Sequence, residues 1–301
     1  MGQQPKPALP KILAVSASAI ALLCWFPFLI PAAIGGAVLA ILLLKNKPCD
    51  PRDVRKFFDG FRIGGHRGAP KSFPENGMAG FIQAKNDGAD LIEFDVALTK
   101  DGEAVLLHDD DLDRTTNLSG PIREKTLAQL ARANISANFT RTTKGNLAPV
   151  QNEGIPKLEA VVKWAVENNM KMLFDVKDSD PELVKIIGDL FEKYHLYDKA
   201  IVCSFYPWVV YLIKQGNQKI LSGKTLCINS LFISVLQPFR THLASKILLI
   251  QGYREHSPRY SGMKHYIYVL IDIIHVFLLK IVTPWFLGAD LLLTNNLDIS
   301  K

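Results

Sequence analysis

Two kinds of apolar run take turns between Phe61 and Gln215, and that alternation constrains the fold more than any other feature of the chain. Phe61–Gly65, the run around "LIEFDV" (Leu91–Val96), Lys171–Lys177 and Ala200–Phe205 read as short strands. Glu75–Asn86, Lys157–Asn168, Pro181–Tyr194 and Trp208–Gln215 repeat their apolar residues at helical spacing, as in Leu158, Val161, Val162 and Ala165. Gly88 suits the stop of the first helix. Strands separated by helices pair in parallel, and 301 residues favour a barrel over an open sheet.

The strand around Phe94 carries two acids where burial calls for apolar residues. Side chains alternate along a strand, so Ile92, Phe94 and Val96 take the helix side of the barrel wall. Glu93 and Asp95 then share the inner side, about 7 Å apart. The same phase in "KMLFDVK" turns Met172, Phe174 and Val176 outwards and Leu173, Asp175 and Lys177 inwards. Three converging carboxylates repel one another unless something positive sits among them. A hard divalent cation, magnesium or calcium, suits an all-oxygen set. An ion-pair network with Lys177 or Arg67 is the plainer alternative.

Two histidines come to the same end of the barrel. His66 closes the first strand in "GGHRGAP", and His108 closes "AVLLHDD". Asp101-Gly102 between the acid strand and His108 is a two-residue hairpin signal. In that register Lys100 faces Glu103, and Asp95 lies opposite His108 with Cβ atoms about 5 Å apart. Barrel active sites form at the C-terminal ends of the strands, where two imidazoles can serve as general acid and base. The other five histidines, such as His195 and His242, have no such neighbours in the sequence.

Ile12–Leu44 contains no charged residue. As helix it would be roughly 50 Å long against a hydrocarbon core of about 30 Å. It reads as a membrane anchor, either one tilted span or two short ones meeting near Pro27 and Pro31; a signal peptide has a shorter apolar core. Orientation signals conflict. Lys45, Lys47, Arg52, Arg55 and Lys56 behind the run favour a cytosolic barrel. Sequons at Asn117, Asn134 and Asn138 favour glycosylation and a lumenal or extracellular one. The formal charge of +6 is scattered apart from that run, so no nucleic-acid surface is expected. Four cysteines (Cys24, Cys49, Cys203, Cys227) do not form a disulfide framework.

Taken together, "HRG" with "PEN", then "EFDV…TKDG…VLLHDDDLDRTT", then "FDVK" resembles the glycerophosphodiester phosphodiesterases, over about Ile63 to Phe205. The resemblance implies a TIM-type (β/α)8 phosphodiesterase barrel. It implies metal-dependent hydrolysis of glycerophosphodiesters to sn-glycerol 3-phosphate and an alcohol. On that pattern His66 and His108 are the acid–base pair, Glu93, Asp95 and Asp175 hold the metal, and Arg67 and Lys177 hold the substrate phosphate. Glu75 and Asn76 are supporting residues, with Gly77 where the family usually has Thr. Asp175 stands where many members carry Glu. Some members act as lysophospholipase D on lysophospholipids or glycerophospho-N-acylethanolamines, and the apolar stretch Tyr266–Leu279 suits such a membrane-borne substrate.

The expected organisation is a tail and anchor over residues 1–50, then a barrel over residues 61–301 with an apolar insertion at residues 228–287. About 185 residues remain for the barrel, room for roughly six βα units. "FLGADLLLTNN" reads as a late strand, and the final family strands have no counterpart, so the barrel is expected to be incomplete at its C-terminus. An incomplete barrel admits a third reading, an inactive membrane scaffold. The expected location is an endomembrane or the plasma membrane, with the barrel lumenal or extracellular and a protein partner unknown.

Overall fold

The computed structural model describes residues 30–143, 147, 149–226 and 277–294, with single positions at 263, 270, 271 and 274. Most of the expected insertion at 228–287, and the first part of the expected anchor, lie outside the described residues. The chain forms two compact units, Met1–Lys45 and Asn46–Lys301. In the first, helix α1 (residues 30–44) leaves Ile34, Leu39 and Leu43 exposed. Among the described residues no helix is long and apolar enough to cross a membrane.

The second unit holds a curled parallel sheet. Its elements run α2 (Pro51–Phe58), β1 (Gly64–Gly65), α3 (Met78–Asn86), β2 (Leu91–Leu98), β3 (Ala104–Leu106) and α4 (Leu127–Leu130). They continue with α5 (Leu158–Glu167), β4 (Lys171–Val176), α6 (Pro181–Tyr194), β5 (Ala200–Ser204) and α7 (Pro207–Gly216). Strand β6 (Leu221–Leu226), helix α8 (Thr283–Leu287) and β7 (Leu291–Thr294) follow. The strands lie in the order β1-β2-β4-β5-β6-β7, all parallel, with β3 antiparallel on β2. Among the described residues β1 and β7 do not pair, so the barrel wall stays open between them.

The two faces of the sheet follow the alternation read from the sequence. Ile92, Phe94, Val96, Met172, Phe174, Val176 and Val202 face outwards and are buried under α3, α5 and α6. Phe81, Phe94, Phe174 and Phe191 form a run of ring contacts through this layer, with centroids 6.0, 4.8 and 5.8 Å apart in turn. The inner face carries a second apolar cluster of Leu91, Ile201, Cys203 and Leu221.

Phe57 of α2, fully buried, completes that inner cluster. Asp50 caps α2 by accepting from Arg52 N at 2.8 Å, and Pro51 preorganises its first turn. Lys171 fastens its far end by donating to the carbonyls of Phe57 and Asp59. The compact unit therefore begins at Asn46, ahead of the expected boundary at residue 61. Phe57→Ala should remove a fully buried ring from a wall that cannot collapse onto the gap. A loss of about 3–5 kcal/mol is expected. Chemical denaturation measures it, and a loss below about 1 kcal/mol would mean that α2 is not part of the core.

Three local expectations need correction. The hairpin pairs Val96 with Leu106 and Leu98 with Ala104, one residue away from the expected register. Thr99 N donates to Glu103 O at 3.0 Å, so the loop is Lys100–Gly102, with Gly102 at φ +79. A three-residue loop with glycine in the left-handed region replaces the two-residue turn. Leu107, not His108, thus lies beside Asp95, with Leu107 N donating to Asp95 O at 3.1 Å. Helix α3 begins at Met78, not Glu75, because Asn76 sits at φ +59, outside helical geometry. The first strand is shorter than Phe61–Gly65.

Candidate active site

The parallel register brings the inner-face acids to one end of the sheet. Asp95 pairs directly with Asp175, and Glu93 stands two residues earlier on the same face of β2. One carboxylate oxygen from each of Glu93, Asp95 and Asp175 lies within 4.8 Å of the others. His66 follows β1 directly, and His108 lies just beyond β3.

Asp95 is the electrostatic centre. Lys177 Nζ donates to its Oδ1 at 2.8 Å, and Asn76 Nδ2 donates to its Oδ2 at 2.9 Å. Arg67 Nε lies 3.1 Å from Oδ2, close enough for an ion pair but not aligned as a hydrogen bond. Burial alone would raise the Asp95 pKa. The charge of Lys177 and the bonds from Asn76 and Lys177 outweigh burial and hold it below the ordinary carboxylate value. Asn76 also accepts from Asp95 N at 3.1 Å, a reciprocal pair that explains its left-handed backbone.

The other two acids have weaker support: Glu93 Oε2 accepts from Arg67 N at 2.7 Å, and Asp175 has Lys177 only at 3.8 Å. Burial, reinforced by the charge of Asp95, pushes the Glu93 carboxyl up to about 8. Burial raises Asp175 to about 6, against the opposing pull of Lys177 at 3.8 Å. Asp175 Oδ1 is buried without a hydrogen-bond partner. So the ion-pair network read from the sequence exists, but it compensates chiefly Asp95. Glu93 and Asp175 hold their charge poorly without a cation, and Asp175 keeps an orphaned oxygen, as expected of ligands for a hard cation.

The histidines differ in their surroundings. The His66 side chain is 72% exposed, and its Nε2 lies 3.9 Å from Glu93 Oε2. Partial desolvation and the neighbouring Arg67 lower its pKa, favouring the neutral ring. His108 Nδ1 meets Asp109 Oδ1 at 2.5 Å, and its carbonyl accepts from Lys177 at 3.2 Å. Glu75 binds Arg67 Nη1 at 3.1 Å and Arg114 Nη2 at 2.6 Å. Asp109 and Arg114 escaped sequence reasoning, because nothing in "HDDDLDRTT" separates one acid from the next.

The sequon side chains are all engaged. Asn117 Nδ2 donates to Arg132 O at 3.2 Å, and Asn134 Nδ2 to Asn152 Oδ1 at 3.0 Å. Asn138 Nδ2 lies at 3.0–3.3 Å from the carbonyls of Asp113, Arg114 and Thr116.

An open parallel barrel with acids, two cations and two histidines at the C-terminal strand ends defines a phosphodiesterase-type barrel. Residues 66–247 match the model of the glycerophosphoryl diester phosphodiesterase family, and the chain belongs to that family. It is 34% identical over 161 residues to glycerophosphodiester phosphodiesterase 1 of Mus musculus, covering 53% of this chain and 47% of the relative. The corresponding protein of Homo sapiens is 28% identical over 228 residues, covering 75% of this chain and 62% of that one. The chain thus spans about half the length of the curated relatives it matches. A solved phosphodiesterase from Oleispira antarctica, in complex with the product sn-glycerol-3-phosphate, shares the fold at TM-score 0.50 and 19% identity. That match covers 79% of this chain and 94% of the neighbour.

Proposed function

We propose that the barrel hydrolyses glycerophosphodiesters to sn-glycerol 3-phosphate and an alcohol. The observation that carries this reading is the meeting of Glu93, Asp95 and Asp175 with Arg67, Lys177 and two histidines at one strand end. Family membership supports it. Glu93, Asp95 and Asp175 would hold a divalent cation, magnesium or calcium. When bound, such a cation supplies positive charge to a phosphate oxygen.

The remaining work falls to the chain's own groups. Arg67 presents a planar fork and Lys177 a point charge to the phosphate. His66, kept neutral, removes the proton from the attacking hydroxyl, of water or of the substrate's own glycerol. His108, its Nδ1–H turned to Asp109, also carries a proton on Nε2 and gives that proton to the departing alkoxide, ending as the neutral ring.

A second reading is lysophospholipase D action on a lysophospholipid. It is supported by the exposed stacked pair Tyr206–Trp208, centroids 4.8 Å apart, just past the C-terminal end of β5. The apolar N-terminal run supports a membrane location, and the sequons a lumenal or extracellular barrel; Asn134, like Asn117, is favoured over Asn138 as a glycan site, since its amide gives up one exposed bond against three. Glycerophosphocholine, glycerophosphoinositol and a lysophospholipid should be assayed side by side with the full chain. Release of glycerol phosphate from the soluble diesters is expected. Cleavage of the lysolipid alone would favour the second reading, and cleavage of none would leave an inactive scaffold.

A further inference from the structure

Arg114 grips two carboxylates at once, using two edges of its guanidinium. Toward Asp109, Nε reaches Oδ2 at 2.5 Å and Nη2 reaches Oδ1 at 3.0 Å. Toward Glu75, Nη1 reaches Oε2 at 3.0 Å and Nη2 reaches Oε1 at 2.6 Å. Each carboxylate holds a different group of the site. Asp109 Oδ1 meets His108 Nδ1 at 2.5 Å, and Glu75 Oε1 accepts from Arg67 Nη1 at 3.1 Å. Asn138 fixes the loop itself by donating to the carbonyls of Asp113, Arg114 and Thr116.

We infer that Arg114 is a positioning residue of the proposed reaction, one that sets the orientation of His108 through Asp109 and of Arg67 through Glu75. It touches neither His108 nor Arg67 by any of these bonds, so its action runs through the two carboxylates. With Asp109 locked, the Nδ1 edge of His108 is occupied and Nε2 is the ring atom left for substrate. With Glu75 shared, Arg67 is not drawn wholly onto that carboxylate, and its remaining donors stay available to a phosphate. A lysine cannot take this place, because one ammonium cannot bind two carboxylates edge-on.

The plain alternative is a solvent-exposed ion pair. The Arg114 side chain is 48% exposed, and pairs of that exposure contribute little to stability. The two views differ in what a substitution changes. A surface pair predicts a small change in melting temperature and unchanged kinetics. The positioning role predicts a small change in melting temperature with a large kinetic loss, since misplacing a reacting group by about 1 Å can cost on the order of 100-fold.

The inference rests on the phosphodiesterase reading, so the experiment needs a readout outside turnover. The full chain, labelled with 15N in histidine only, reports the His108 tautomer by NMR, assigned by its loss in His108→Gln. In the parent Nδ1 of His108 is expected to stay protonated whether or not Nε2 also carries its transferable proton, and in Arg114→Ala the neutral ring is expected to average over both tautomers. Kinetics with glycerophosphocholine should then divide. Asp109→Asn lowers kcat, Glu75→Gln changes KM, and Arg114→Ala and Arg114→Lys do both, kcat falling on the order of 10- to 100-fold. Parental kinetics in Arg114→Lys, or an unchanged His108 signal in Arg114→Ala, would overturn the inference. A parent that cleaves no glycerophosphodiester would overturn the reaction assignment instead, and the NMR comparison would still decide the role of Arg114.

Discussion

Glu93→Gln is expected to abolish turnover and the response to divalent cations, yet leave the cation-free protein at least as stable at pH 8. Glu93 is a buried acid whose pKa stands at about 8, because burial and Asp95 both oppose its charge. A folded pKa above the ordinary value contributes stability that is full below the unfolded pKa, about 4.5, and is lost as pH rises through the folded one. The cation-free parent should therefore lose melting temperature progressively from about pH 4.5 to about pH 8 and level off above that. Asp175, raised from 3.8 to about 6, steepens the lower part of that decline, up to about pH 6. Glutamine carries no charge to desolvate, so the variant should hold a flatter profile. Magnesium or calcium should restore the parent at pH 8 and do nothing for the variant. Melting curves across pH, with and without cation, provide the measurement. Full activity after exhaustive chelation would return these acids to a purely ion-paired role. Asp95→Asn should behave differently. Its carboxylate is the nearest acid to Lys177 and pairs with Arg67 Nε, so removing it leaves Lys177 only Asp175 at 3.8 Å and Arg67 only Glu75, and should destabilise the protein as well as inactivate it.

That contrast marks what the sequence could and could not convey. The inward phase of Glu93, Asp95, Asp175 and Lys177 follows from strand alternation alone, and the parallel register realises it. The outward core of Phe94 and Phe174 follows from the same rule. Motif resemblance supplied Arg67 and Asn76, but not their geometry. Both sit at positive φ, at +55 and +59, in a loop where local propensity is overridden by bonds to Glu93 and Asp95. The hairpin register slipped by one because Thr99 closes onto Glu103, a choice that an Asp-Gly pair does not fix. Phe57 was illegible for another reason. It comes from a short helix with a mostly polar sequence, and only the folded wall shows that its ring fills the inner face. Asp109 and Arg114 depend on a loop-to-loop meeting with Glu75, 39 residues from Arg114, which no periodicity encodes.

Replacing either histidine should cost roughly 10²- to 10⁴-fold in kcat while leaving the fold intact. Neither ring fills the core: His66 is 72% exposed and the His108 side chain 32%. The two losses should not multiply, because acid and base act in one concerted set, so the double variant should be little worse than the poorer single one. The leaving group separates the roles. A p-nitrophenyl ester of glycerol phosphate departs without a proton, so it rescues the variant that lacks the general acid and not the one that lacks the base. His66 lies beside Arg67 with its pKa held down, which suits a proton acceptor. His108, oriented by Asp109, is then the donor. The expected result is rescue of His108→Ala by the activated ester and none of His66→Ala. Rescue in the opposite sense would exchange the two roles. A well-folded single variant that hydrolyses glycerophosphocholine at the parental rate would remove that histidine from the reaction and leave its proton transfers to solvent.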